Sequence, residues 1–383
     1  VGLRVLISAG EASGDRYAAG VVNALRQLRP DAQFFGCTGP EMRAAGVETI
    51  VDSASLSVVG LVEVLHHIPR IYGEFRKLLA AARDRRPDVA VLTDSPDFHL
   101  RVAKKLHAMG IPVIYLVAPQ AWAWREGRVG QLQRNVRELH CIFPFEERFF
   151  QSRGVNAHYI GHPLPAIIRP RHSREEFFRK HRLPEDRPLL TLCPGSRRGE
   201  IARHFPALRD AMGRIAQARA CTFLVAAPRG AAGHFGTGFF DPLVADGRAR
   251  LLESETWDAM AHSNVTLAAS GTVTIEAALL GAPMVTYYKV TPATWLLGRH
   301  LVRVPFFSMV NLVAGRKVVP ELIQDDMTGE ALAGKALELL NSPTETARMK
   351  ADLAEVRRAL DAGHCPFQES AGRILASIEE DTD

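Results

Sequence analysis

Four short segments place small, polar or charged residues directly after an apolar run. The first is Thr93-Asp94-Ser95-Pro96-Asp97-Phe98, after DVAVLT. A carboxylate at the end of a buried strand can take a proton from a reacting hydroxyl, so Asp94 and Asp97 are candidate general bases. The same pattern also suits a helix cap, with Asp94 or Ser95 ahead of Pro96 in the first turn. A metal site would need a third ligand at suitable spacing, and none is evident. The second segment, Ala9-Gly10-Glu11-Ala12-Ser13-Gly14-Asp15, follows the run Leu3–Ser8 and opens a helix. Its glycines let backbone amides approach an anion, and the helix N-terminus adds a partial positive charge worth about 0.3–2 kcal/mol. The spacing is not GxGxxG, which disfavours a dinucleotide site. Ser13 or Asp15 could instead cap the turn.

The third and fourth segments repeat this design further along. Pro194-Gly195-Ser196-Arg197-Arg198-Gly199-Glu200 offers turn amides at Gly195 and Ser196, with a guanidinium, Arg197, that can fork onto phosphate oxygens. Such charge-assisted bonds contribute about 1.5–3 kcal/mol each. Ala269-Ser270-Gly271-Thr272-Val273-Thr274-Ile275-Glu276 offers amides and hydroxyls to a diphosphate from Ser270, Gly271 and Thr272. Glu276, one turn further in, has two acceptor oxygens suited to a ribose diol. Each turn alone could be a cap; the two together point to a nucleotide diphosphate. Trp122 and Trp124, beside Arg125 and Arg128, could form a sugar or anion platform, with Trp122 better read as packing.

These segments need elements to hold them. Continuous apolar runs such as Asp88–Thr93 and Pro112–Val117, and later Leu189–Cys193, Cys221–Ala227, Val265–Ala268 and Met284–Tyr288, alternate with helical stretches. That alternation predicts an α/β protein with parallel sheets covered on both faces. At 383 residues the chain suits two domains. Prolines 163, 165, 170, 184 and 188 mark the junction. The expected division is a Rossmann-like lobe over 1–165, a linker over 166–188, a second such lobe over 189–345, and a helical tail over 346–383 that packs back on the first lobe or on a dimer mate. Ligands are expected at the carboxyl ends of the strands, in a cleft between the two sheets. The glycine-rich stretch 228–247 reads as a surface loop. Leu56–Ile71 carries Val58, Leu61, Val62, Leu65 and Ile68 at helical spacing. That stripe is either a core face or a face meeting lipid, with Arg70 and Arg76 for anionic headgroups.

The net charge of +5 favours anionic partners, but no basic stripe interleaved with aromatics argues for nucleic acid. No apolar run is long enough to span a bilayer, and the first residues lack the order of a secretory signal. A start at Val1 suggests a trimmed or processed chain. Five single cysteines without a CxxC pair suggest a reducing cytoplasm, three of them as buried thiols in strand-like runs.

Taken in order, the segments AGEASGD, GPEMRAAG, LSVVGLVEVL, TDSPDF, AWAWR, FPFEERFF, IGHPL, PGSRRGEI, ASGTVTIEAALLGAPMV and SMVNLVAGRKVVPELIQ make the sequence resemble the lipid A disaccharide synthase family. They run from about residue 4 to residue 330. One departure is VAPQAWAW, where the family usually carries serines. The resemblance implies a GT-B-type fold and an inverting, metal-free transfer without a cofactor. In that reaction UDP-2,3-diacylglucosamine donates its sugar to the 6-hydroxyl of 2,3-diacylglucosamine 1-phosphate, giving a β-1,6 disaccharide and UDP. It implies Asp94 as base, with Glu11 and Asp97 as alternatives. Gly195, Ser196, Arg197, Ser270, Gly271, Thr272, Glu276, Asn311 and Gln324 would bind the donor. Ser13, Gly14, Asp15, Trp124 and Arg125 would bind the acceptor. Val58, Leu61, Val62, Leu65 and Ile68 would dock on the inner membrane, and a homodimer is implied. Other readings are a UDP-GlcNAc epimerase, another lipid-linked transferase, or a binding module without turnover.

Overall fold

A computed structural model describes residues 2–56, 61–123, 126–227, 247–298 and 304–379, with the side chains of 61–68, 293, 297 and 298 left out. The chain divides into two compact units, 1–166 with 360–383, and 167–359. Each is built on one parallel sheet.

The first sheet holds seven strands: β1 (Arg4–Ala9), β2 (Gln33–Thr38), β3 (Glu48–Asp52), β4 (Val89–Thr93), β5 (Val113–Leu116), β6 (Glu138–Cys141) and β7 (Ala157–Tyr159). Their order is β3-β2-β1-β4-β5-β6-β7. Every residue of β4 and β5 is buried, as expected of central strands covered on both faces. The helices include α1 (Ala12–Leu28), α2 (Pro40–Ala44), α3 (Leu61–Arg85) and α4 (Pro96–His107). The second sheet holds β8 (Leu189–Cys193), β9 (Thr222–Ala227), β10 (Ala249–Glu253), β11 (Val265–Ala269), β12 (Met284–Tyr288) and β13 (Glu321–Ile323), in the order β10-β9-β8-β11-β12-β13. All strand pairs are parallel.

In each sheet the strand order reverses once, between β1 and β4 and between β8 and β11. At such a switch point the loops leaving the two strands part, and a crevice opens outside their carboxyl ends. The four chemistry-bearing segments are the loops that leave β1, β4, β8 and β11.

Two boundaries differ from expectation. The supposed linker contains the helix Arg174–Lys180, capped by Ser173 and Glu176 and burying Phe177 and Phe178. Asp258 fastens it by accepting from the amides of Arg171 (2.9 Å) and His172 (2.8 Å). Proline spacing marked the junction, but the buried phenylalanines make this segment part of the second unit. The helix Pro343–Leu360 belongs to the second unit through Ala359. The last helix, Pro366–Glu379, does pack back in the first unit, the first of the two expected placements, where Ser370 meets His140 Nδ1 at 2.9 Å and Arg373 pairs with Glu138.

Cys37, Cys141, Cys193 and Cys221 are buried free thiols, and Cys365 is partly buried. Burial pushes Cys37 up to about 12. Among the described residues no helix is long and apolar enough to cross a membrane.

Candidate active site

Asp94 is the last turn of chain before α4 and the residue on which the first crevice is organised. Its Oδ1 accepts from the Gly10 amide at 2.8 Å and its Oδ2 from the Glu11 amide at 3.0 Å. The side chain thus ties the loop after β4 to the loop after β1, across the switch point. It does not cap its own helix, and neither does Ser95, which holds the N-cap position without a side-chain capping bond. The carboxylate fits because two residues lack a side chain. A Cβ on Gly14 would overlap Asp94 Oδ2 and lie 2.8 Å from its Cγ; one on Gly10 would overlap the Ser95 hydroxyl.

The side chain of Asp94 is 12% exposed. Burial raises its pKa to about 7, against the pull of the Gly10 and Glu11 amides. The other two candidate bases lack that environment. Glu11 is exposed. Asp97 is 72% exposed and accepts from Arg128 at 2.8 Å.

The backbone around Asp94 is strained. Asp94 (φ 53°), Ser95 (φ 37°) and Val117 (φ 66°) occupy the left-handed region at the ends of the neighbouring strands β4 and β5. For a β-branched residue such as Val117 this is a rare conformation, and such residues cluster at functional sites. The Thr93 hydroxyl, one residue earlier, is buried with no hydrogen-bond partner. The carbonyl of Asp94 is held by two donors, the Tyr115 hydroxyl at 2.7 Å and His99 Nδ1 at 3.0 Å.

Asp15 departs from its expected role. It is 1% exposed, and its carboxylate accepts from the amides of Gly39 (2.8 Å), Glu41 (2.8 Å) and Met42 (3.2 Å). It therefore caps α2, a different helix from its own, and both its oxygens are engaged there. Gly14 is buried and serves to admit Asp94. Ser13 is exposed on the first turn of α1. Trp124 and Arg125 lie outside the described residues, as does Val58; of Leu61, Val62, Leu65 and Ile68 only the backbone, in α3, is described. Trp122 packs edge-on against Phe145 and donates to Glu146 at 3.0 Å. Glu146 is a buried carboxylate that sequence reading passed over. It also accepts from the amides of Ile142 and Phe143, and burial raises its pKa to about 7. Its only sequence signal is its place three residues after Phe143 in FPFEERFF, where an acidic side chain can fold back on a helix start.

The second crevice is framed by the loops after β8 and β11. Gly195 takes φ 116°, and the Ser196 and Arg197 amides turn toward Glu200 at 3.3 and 3.4 Å. Arg197 is 59% exposed and within 3.4 Å of Glu200. Gly271 and Thr272 are exposed at the start of the helix Thr272–Leu279, and Glu276 is half-buried one turn on. The Ser270 hydroxyl donates to the Phe307 carbonyl at 2.8 Å and so pins the loop before Ser308. This loop frame has its own buried pair: His204 Nδ1 donates to Pro194 O at 2.8 Å, and the Tyr287 hydroxyl to Cys193 O at 2.8 Å.

Asn311 has a structural role in the second unit. It is fully buried; Nδ2 donates to Val319 O (3.0 Å) and Glu321 Oε1 (2.8 Å), and Oδ1 accepts from the Val318 and Val319 amides at 2.7 and 3.0 Å. All its hydrogen-bonding capacity is used in holding the turn before β13. Asn311→Ala is expected to lower unfolding stability by about 2–4 kcal/mol, read from the urea midpoint, because several buried groups lose partners together. Gln324 sits at the end of β13 with φ 56°, its Oε1 accepting from the Val290 amide at 2.6 Å.

Known proteins match this arrangement along its whole length. Residues 5–375 match a family described as "Lipid-A-disaccharide synthetase". The chain is 60% identical over 377 residues to the lipid-A-disaccharide synthase of Solibacter usitatus, covering 98% of this chain and 97% of that one. It is 44% identical to the Koribacter versatilis synthase, with both chains covered completely. Among solved structures, a kitacinnamycin glycotransferase superposes with a TM-score of 0.67 at 15% identity over 99% of this chain and 100% of that one. A UDP-GlcNAc 2-epimerase from Neisseria meningitidis gives 0.64 at 13% over 99% and 100%. These distant likenesses show the fold, two Rossmann-like units of GT-B type, which transferases and epimerases share.

Proposed function

Since the chain belongs to the lipid-A-disaccharide synthase family and is therefore a glycosyltransferase of lipid A biosynthesis, we propose that Asp94 is its general base. The observation that carries this reading is the largely buried carboxylate at the first switch point, held by two amides and raised to about 7. A base titrating near the working pH is ionised enough to act and basic enough to take a hydroxyl proton. The acceptor is 2,3-diacylglucosamine 1-phosphate, whose 6-hydroxyl loses its proton to Asp94 as oxygen attacks the anomeric carbon. The donor is UDP-2,3-diacylglucosamine, and UDP departs with inversion. Ser13 and the start of α1 receive the acceptor.

Arg197 and the amides at Gly195–Ser196 and Gly271–Thr272 meet the charge that develops on the leaving diphosphate, with no metal required. Glu276 takes the ribose diol, and Gln324 borders the donor. Arg197→Ala is expected to raise KM for the UDP-sugar about 10- to 100-fold, as loss of a charge-assisted contact would.

The substrates carry long acyl chains, each CH₂ of which costs about 0.8 kcal/mol to expose to water. The enzyme therefore works at the cytoplasmic face of the inner membrane, docked through the stripe Val58, Leu61, Val62, Leu65 and Ile68, as a homodimer. The test incubates purified protein with both lipids in micelles or vesicles plus EDTA and follows UDP and disaccharide by mass spectrometry. Disaccharide that requires the acylated acceptor supports the reading. Turnover of UDP-GlcNAc without an acceptor would replace it with an epimerase.

A further inference from the structure

Tyr115 stands in the middle of an apolar strand, VIYL, fully buried. A packing role there would be met by phenylalanine. A buried hydroxyl costs free energy unless it finds a partner, and this one finds the carbonyl of Asp94 at 2.7 Å. We propose that Tyr115 is a positioning residue for the transfer: with His99 it holds the main-chain carbonyl of Asp94, and so fixes where the carboxylate lies.

Thr93 is the last residue of β4 in the ladder, paired with Leu116. Asp94 then turns left-handed, and its carbonyl leaves the sheet. That conformation costs roughly 1–3 kcal/mol for a residue other than glycine and persists only where its surroundings determine it. Two side-chain donors on one carbonyl supply that determination. The second donor is itself oriented. A carbonyl can only accept, so His99 carries its proton on Nδ1, and Nε2 accepts from the Ser8 hydroxyl at 2.7 Å. Burial lowers His99 to about 4, which keeps it neutral in this tautomer. The chain Ser8, His99, Asp94 O, Tyr115 therefore reaches from β1 through α4 to β5. On its other side the same residue presents its carboxylate to Gly10 and Glu11. Among the described residues, the ionisable groups that act on Asp94 and Tyr115 are His99, whose Nδ1 lies 3.9 Å from Asp94 Oδ1, Glu11 at the start of α1, Cys37 on β2, Asp97 on α4, and Arg128 beside Asp97.

This proposal rests on Asp94 being the base, so the experiment separates the two. Tyr115→Phe and Asp94→Asn are assayed together for disaccharide formation across pH, with thermal melts for both. Tyr115→Phe is expected to fold, to lose about 10-fold in kcat with KM for the UDP-sugar unchanged, and to move the acid limb of the kcat profile to higher pH. That limb moves because a carboxylate that slips from the Gly10 and Glu11 amides loses donors that favour its charged form. A residue that merely packs would change the melt and leave the limb in place. Full kcat and an unmoved limb in Tyr115→Phe, beside an inactive Asp94→Asn, would overturn the positioning role alone. An active Asp94→Asn would overturn both readings. If Tyr115→Phe does not fold, His99→Phe combined with Ser8→Ala removes the other donor and carries the same expectations.

Discussion

Asp94→Asn is expected to lose about 10²–10⁴-fold in kcat while UDP still binds, the range in which general-base catalysis contributes. Asparagine keeps the shape of the side chain, and one of the two amides, Gly10 or Glu11, keeps an acceptor. What disappears is the basic oxygen. In the wild type, kcat should rise with pH and level off above about 7, because the buried carboxyl must ionise before it can accept a proton. The sign follows from burial, which favours the neutral form and raises the pKa. Single-turnover assays from pH 5.5 to pH 9 with UDP affinity measured alongside would check it. Activity in Asp94→Asn with the acid limb retained would move the role to another carboxylate, first Glu11, whose charge acts on Asp94.

Gly14→Ala is expected to cost as much activity as losing Asp94 itself, and to do so against helix propensity. Alanine normally stabilises a helix by about 0.8–1 kcal/mol relative to glycine. On α1, however, the added Cβ falls on the Asp94 carboxylate, 2.8 Å from Cγ and 3.3 Å from Cβ. That side chain is short, and both oxygens are already engaged, so it cannot swing aside without releasing Gly10 and Glu11. The comparison is Gly213→Ala, also within a helix, where nothing lies within 4 Å of the added carbon. Gly213→Ala should melt at the same temperature or higher and turn over normally. Gly14→Ala should lose about 100-fold or more in kcat and melt lower. Equal behaviour of the two would mean the helix shifts freely and Asp94 is not locked.

The frame of this molecule was readable from runs of buried β-branched and aliphatic residues. DVAVLT and TLAA announce central strands because both faces of such strands are covered. The strands that escaped notice lie toward the sheet margins. β3, ETIVD, has one buried residue, β10 has two, and β7 and β13 have three residues each, whereas β2, QFFGCT, buries five of its six residues and is broken in sequence by Gly36. Such segments pair through their backbone, and their side chains carry little pattern.

The site was legible at Asp94 for the same reason the strands were, since a polar residue ending a buried run must be at a strand's carboxyl end. Its supports were not legible. Tyr115 reads as one more large residue in a core strand, and His99 as one more polar residue in PDFHLR. Asp15 and Asn311 show the converse. Asp15 follows the glycines of AGEASGD, and Asn311 lies in a segment that carries the family resemblance, yet Asp15 is taken up by backbone amides and Asn311 by amides, a carbonyl and Glu321. A turn's need for an acceptor depends on which amides it leaves unpaired, and that is a property of the folded backbone.

The buried histidine and tyrosine of the first unit have counterparts in the second, where His204 and Tyr287 hold Pro194 O and Cys193 O. In both units the groups that shape the loop lie beneath it, apart from the residues on its exposed side. The backbone of each loop is therefore ordered before any ligand arrives, and little of the binding free energy goes into ordering it. It also separates two kinds of inheritance. Exposed positions such as Ser13, Ser196 and Thr272 can drift or be redesigned toward other sugars and other headgroups, while the histidine and tyrosine keep the scaffold on which such changes are tried.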